Sequence, residues 1–181
     1  MDETPDDTEA RVDPGDGERF RTHAVVNQPP PLAGYDLFAT DLALVEAVMR
    51  DGGGWAADRL GALGRTLGLA RTIELGFQAN RYPPVLKAFD RFGRRCDTVE
   101  FHPAWHELMT LAVAEGLHTS PWAAPRAGAH VARAAGFYML GQVEAGVQCP
   151  LAMPYGAAAV LRRSPALAAD WLRRLFSREY D

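Results

Sequence analysis

The chain has 181 residues, 48% hydrophobic and 23% charged, enough to bury one sizeable core without a disulfide framework or a structural metal. Its formal net charge of −4 is uneven, because residues 1–20 hold eight acidic side chains and two arginines and residues 21–181 are left at +2. The arginines are spread out, with doublets only at Arg94/Arg95, Arg162/Arg163 and Arg173/Arg174, which argues against a dense nucleic-acid-binding stripe.

No run approaches the roughly 18 apolar residues of a membrane span, and no apolar leader follows the acidic start. Cys96 and Cys149 lie far apart without CxxC spacing, as free thiols in a reducing compartment do. A cytoplasmic location is therefore expected.

Residues 1–20 are acidic, carry Pro and Gly and have little to bury, which predicts a disordered tail. Residues 21–181 read as one folded domain. Its first part, THAVVNQPPPLAGYDLFATD, is extended, since three prolines at 29–31 forbid a helix. Thr40 reads as the N-cap of the first helix, with Leu42, Val45, Val48 and Met49 as its apolar stripe and the glycines at 52–54 as its stop.

A second helix starts near Asp58 with Leu60, Leu63 and Leu67 on one face and ends at Gly68. A third covers about 69–80. Pro83 and Pro84 close it and open a short fourth helix, PPVLKAFDRFG, capped by Gly93, and residues 94–101 form a polar connector. Pro103 opens a helix that ends at Gly116.

A longer helix spans about 126–146 with Ala127, Val131, Ala134, Ala135, Tyr138, Gln142 and Val143 facing inward. Two shorter helices fill 151–178, split at Ser164–Pro165. No segment alternates apolar and polar residues with a β-branched bias, so the predicted class is all-α with seven or eight helices.

The sharpest chemical candidate is FHPAWHELM at 101–109, because His102 and His106 stand four apart, on one face of a helix. A catalytic zinc helix reads HExxH, with glutamate directly after the first histidine. Pro103 occupies that position here, and no third ligand is specified, although His118 and Asp97 are candidates. A metal-dependent hydrolase built on this pair is accordingly the minor reading, and no metal ligand set is assigned. Ahead of a proline, His102 fits an N-cap, and His106 lies one turn on in a structural role.

His23 and His130 have no spaced partners and read as structural. Cys149, ahead of Pro150, reads as a small buried thiol, and Trp55, Trp105, Trp122 and Trp171 as packing anchors. GGGW at 52–55 is no phosphate loop, lacking a preceding strand and a following GK[ST]. The residues by themselves contain no complete active site.

Five phrases read together go further: THAVVNQPPPLAGYDLF, EAVMRDGGGW, LGFQANRYPPVLKAFDRFGRRCDTVEFHPAWHELM, GAHVARAAGFYM and QVEAGVQCPLAMPYGA. In order and spacing, over about residues 22–163, they resemble the N-terminal helical domain of the AidB-type adaptive-response proteins, a branch of the acyl-CoA dehydrogenase flavoprotein family.

The resemblance implies a larger protein, with a middle β-domain, a C-terminal helical domain, and FAD held between those two. A base there removes the α-proton of an acyl thioester while FAD accepts the β-hydride. It also implies a homo-tetramer, protection of DNA from alkylation, and DNA contacts in the C-terminal region. The catalytic base and the flavin phrase, of the type MTEKQGGSD, fall outside residues 1–181, so this chain alone is expected to bind no FAD.

By the same resemblance Gln142, Cys149, Met153 and Tyr155 form part of a substrate-cavity wall, with plain core packing as the alternative for all four. Pro154 departs from the hydroxyl residue that relatives carry there. A non-enzymatic helical interaction module that has lost the flavin site is the alternative function.

Overall fold

A computed structural model describes residues 22–24 and 26–181. The expected acidic tail, residues 1–20, lies outside them. The chain divides into two units, residues 1–31 and 32–181. In the first, residues 26–31 are exposed and carry neither helix nor strand. The elements that follow all belong to the second.

Eight α-helices lie among the described residues: α1 (Leu42–Arg50), α2 (Ala57–Gly68), α3 (Ala70–Arg81), α4 (Pro103–Ala114), α5 (Ser120–Ala123), α6 (Ala129–Val143), α7 (Gln148–Leu161) and α8 (Pro165–Leu175). A 3-10 turn, Gly54–Ala56, precedes α2. A single two-stranded sheet interrupts the helices, with β1 (Val85–Phe89) antiparallel to β2 (Arg95–Glu100). The all-α class stands, with that hairpin as an insertion. No helix among the described residues is long and apolar enough to cross a membrane.

The core draws on α2, α4 and α6, with α2 packed on α6 and α4 on α3. Leu60, Leu63 and Leu67 of α2 meet Leu108, Met109 and Ala112 of α4 and Ala132, Ala135, Met139 and Leu140 of α6, and all are buried. Small residues let backbones approach. The segment leading into α1 crosses α2 where Gly64 and Gly68 leave room, and its Gly34 N–H donates to the Gly68 carbonyl at 2.7 Å. Gly76 of α3 lies directly against the Val143 carbonyl of α6, a space that a Cβ would fill.

The first helix is capped one residue later than expected. The Asp41 carboxylate, not Thr40, accepts the Leu44 N–H at 2.9 Å, while the Thr40 hydroxyl donates to the Asp36 carbonyl. Of the expected stripe, Val48 is buried and Val45 is half-buried, whereas Leu42 and Met49 are 71% and 58% exposed.

The expected fourth helix over PPVLKAFDRFG is instead β1 with its turn, and the expected polar connector is β2. Asp90 decides the matter. Its carboxylate accepts the Phe92 and Arg94 N–H groups, its own N–H donates to the Arg94 carbonyl, and Gly93 takes a left-handed φ of 76°. Gly93 is therefore a hairpin turn residue and not a helix cap. Register places Leu86 opposite Val99 and Lys87 opposite Thr98, with an irregularity before Phe89 and Asp97 at φ 48°.

The inward face of α6 is also rotated from the expected one. Ala129, Ala132, Arg133, Ala135, Gly136, Met139 and Leu140 are buried, while Ala127, Ala134, Tyr138 and Gln142 are exposed. The expected line was set by alanine and aromatic positions. The observed one follows Met139 and Leu140, which fill the space above α2.

Candidate functional site at the α6–α7 junction

The loop between α6 and α7 turns on Glu144 and Gln148. The Glu144 carboxylate accepts the Val147 N–H at 2.8 Å and starts α7. The Gln148 side-chain amide donates back to the Phe137 carbonyl at 2.8 Å and lies against Gly141. Val147 and Leu151 are buried, which fixes the rotation of α7.

That rotation separates the four cavity-wall residues. Cys149 and Met153, one turn apart, point outward in a stripe with Ala152, Gly156 and Val160, and Gln142 is exposed at the end of α6. Cys149 is thus exposed, correcting the expected buried thiol. The cause is the early start of α7, which sends Val147 inward and Cys149 out. Tyr155 turns the other way, half-buried against α5 and α6. Its hydroxyl lies 2.6 Å from His130 Nδ1, and the Arg133 guanidinium sits over its ring at 4.3 Å.

Pro154 lies inside α7, where it has no N–H to bond to the Pro150 carbonyl. Arg133 itself was invisible to the sequence reading. It is 9% exposed, its Nε–H donates to the Leu117 carbonyl at 2.7 Å, and burial lowers its pKa from the ordinary arginine value. The available signal was its four-residue spacing from Ala129 and Phe137, which places it on the inner side of α6.

Beside the junction, a cleft of about 300 Å³ is lined by Asn80, Tyr82, Phe101, His102, Trp105 and Glu144. His102 is the N-cap of α4, where its Nδ1 accepts the Ala104 N–H at 3.2 Å and its ring stacks on Tyr82 at 4.8 Å. His106, exposed one turn on, lies 2.8 Å from the Tyr180 hydroxyl through Nδ1. His118 sits beyond the far end of α4 with Nε2 on the Ser177 carbonyl, and Asp97 is paired to Arg95 at 2.7 Å. Among the described residues no three His, Cys, Asp or Glu side chains gather as a metal ligand set.

The tryptophans divide by exposure. Trp105 stacks on Phe101 at 4.1 Å, and Trp122 is half-buried beside His130. Trp55 and Trp171 are exposed, although the Trp55 indole donates to the Ala127 carbonyl.

Over most of its length the chain is similar to known proteins. The chain is 46% identical over 164 residues to the putative acyl-CoA dehydrogenase AidB of Escherichia coli K12, an overlap covering 90% of this chain and 30% of that protein. The fold superposes on the apo form of Bd2924 with a TM-score of 0.75 and 27% identity, covering 84% of this chain and 31% of that one. It also superposes on Caenorhabditis elegans ACDH-11 in complex with C11-CoA with a TM-score of 0.74, covering 90% and 29%; at 22% identity that likeness speaks for the fold alone. The chain thus spans about 30% of the length of the relatives it matches. Residues 27–181 match the family described as the adaptive response protein AidB N-terminal domain, and the chain belongs to that family.

Proposed function

We propose that this chain acts as the N-terminal helical domain of an AidB-type, acyl-CoA dehydrogenase-like flavoprotein tied to the adaptive response. Its share of the work is one wall of the acyl-substrate cavity and part of an oligomer interface. The observation that carries this reading is the 46% identity to the putative acyl-CoA dehydrogenase AidB across 164 residues. The outward stripe on α7 supports it, since Cys149, Ala152, Met153, Gly156 and Val160 are exposed together and none is charged.

The residues of this chain do not by themselves fit a flavin dinucleotide. A groove of about 520 Å³ between α2 and α4 presents Glu107 and Glu115 to any diphosphate, and the arginine lining it, Arg59, is paired to Glu115 at 3.6 Å. By the family likeness, FAD contacts, the catalytic base and DNA contacts are assigned to polypeptide outside these residues, and no chemical step is assigned within them. The wall itself needs only shape and apolarity: Met153 and Cys149 would bound the acyl chain, and Gln142 would supply a polar edge.

A chimera tests the reading. Residues 27–181 replace the matching segment of the E. coli relative, and the purified protein is expected to be yellow, with flavin in equimolar amount. Met153→Trp in the chimera is expected to weaken binding of long acyl-CoA while leaving bound flavin unchanged. A folded, soluble chimera without flavin would overturn the domain assignment. Acyl-CoA binding indifferent to both Met153→Trp and Cys149→Trp would overturn the wall assignment.

A further inference from the structure

Glu144 is engaged on one side only. Its Oε2 accepts the Val147 N–H at 2.8 Å, and no cationic side chain meets either oxygen at ion-pair distance among the described residues. The residue is half-buried. Partly withdrawn from water, its carboxylate gains more from a counter-charge than a fully solvated one does.

Glu144 lines the cleft of about 300 Å³ beside the α6–α7 junction, together with Asn80 and the rings of Tyr82, Phe101, His102 and Trp105. The rings form two stacked pairs, Tyr82 with His102 at 4.8 Å and Phe101 with Trp105 at 4.1 Å. No arginine or lysine lines the cleft, and His102 is uncharged there, because its Nδ1 accepts the Ala104 N–H. The C-terminal ends of α3 and α6 both reach it, at Asn80 and Glu144, and the carbonyls of a last helical turn attract positive charge. The N-termini of α4 and α7, also nearby, have the His102 imidazole and the Glu144 carboxylate set against them.

We propose that this cleft binds an organic ammonium ion, its nitrogen on the free oxygen of Glu144 and its carbons against the rings. A carboxylate and aromatic faces both attract positive charge, and the rings also cover the CH₂ groups next to the nitrogen. A nucleobase would use the rings but leave Glu144 without a counter-charge, and the phosphates of a nucleotide would be repelled by it. A guanidinium gains less, because its two parallel hydrogen bonds need both carboxylate oxygens and the Val147 N–H holds one. None of Gln142, Cys149, Met153 and Tyr155 lines the cleft, so the site stands independently of the acyl-cavity wall.

The test is a tryptophan-fluorescence titration of the full chain at pH 7 and one ionic strength, with n-butylammonium chloride against neutral 1-butanol. Butylammonium is expected to change the emission saturably, with the change absent in Trp105→Phe. The alcohol is expected to bind roughly tenfold more weakly, the scale of one charge-assisted hydrogen bond. Glu144→Gln keeps an oxygen for the Val147 N–H and should weaken butylammonium by a similar factor, with an unchanged circular dichroism spectrum. N-acetyl-lysine methylamide identifies the source of the cation: binding as tight as that of butylammonium admits a lysine side chain, and tenfold weaker binding assigns a free amine.

Should Glu144→Gln fail to fold, Asn80→Asp, at an exposed position, places a second carboxylate in the cleft and should tighten butylammonium several-fold without affecting 1-butanol. Equal binding of butylammonium and 1-butanol would overturn the proposal. So would the absence of any saturable change, a folded Glu144→Gln variant that binds as the wild type does, or an Asn80→Asp variant with unchanged affinity.

Discussion

His130 Nδ1 and the Tyr155 hydroxyl lie 2.6 Å apart, and this contact ties α7 to α6. The same phenol ring carries the Arg133 guanidinium, so Tyr155 joins α7 both to a surface histidine and to a buried cation. Tyr155→Phe keeps the ring over Arg133 and removes the hydroxyl. It is expected to lower the unfolding free energy by about 1 kcal/mol, the net value of one side-chain hydrogen bond. Tyr155→Ala also exposes the guanidinium and opens a cavity, for an expected loss of about 3 kcal/mol or more. Urea titrations of the two variants check the difference; equal losses would mean that the ring contributes nothing.

Gly76 and the Val143 carbonyl hold α3 against α6. An added methyl would meet backbone and not a flexible side chain, so the helices would have to separate. Gly76→Ala is expected to cost about 1–3 kcal/mol despite the better helix propensity of alanine. Gly156→Ala is the control, because nothing lies within 4 Å of a Cβ there and only the propensity gain should appear. Thermal unfolding of the two variants should shift in opposite directions.

The helices were legible because their marks are local. Pro103 and Pro165 at first helical positions, the glycines after Arg50, and the leucines of α2 place α1, α2, α4 and α8 to within a few residues of their observed bounds, whereas the four-residue α5 was not expected. The hairpin was not legible, because VLKAF satisfies a helical stripe as well as a strand. What selects the strand is the Asp90 side chain, which organises the turn through Phe92 and Arg94. The rotation of α6 and α7 was hidden for a different reason: alanine and glycine are dense on every side of both helices, so hydrophobic periodicity points nowhere in particular. The burial of Arg133 and the exposure of Cys149 follow from that rotation, and the residues of the candidate site were therefore the least readable part of the chain.

His102 caps α4 through Nδ1 and the Ala104 N–H. His102→Ala is expected to cost about 1 kcal/mol, as lost N-caps do, while His102→Asn restores most of it. Elemental analysis alongside the unfolding curves separates capping from metal binding. A tightly bound metal lost from the alanine variant would contradict the structural role.

His118 sets a pH dependence whose sign follows from its surroundings. Its Nε2 faces the Ser177 carbonyl, which can only accept, so the proton is on Nε2 and the enclosed Nδ1 is bare. Burial lowers its pKa from the ordinary 6.5; the Ser177 carbonyl opposes the shift, and the charges of Arg178 and Arg133 add to it. The folded state therefore favours the neutral ring, and below about pH 6.5 the unfolded chain takes up the proton first.

Stability is present above that pH and declines as pH falls toward the lowered folded value, by at most about 1.4 kcal/mol per unit for this one proton. The weakened contact ties the chain after α8 to the turn after α4, where Thr119 also donates to the Leu175 carbonyl and Arg178 to the Ala114 carbonyl. His118→Gln retains a donor without a titrating group. Unfolding curves between pH 5 and 8 should show the wild type losing stability on the acid side more steeply than His118→Gln. Parallel pH profiles for the two proteins would assign the acid sensitivity elsewhere.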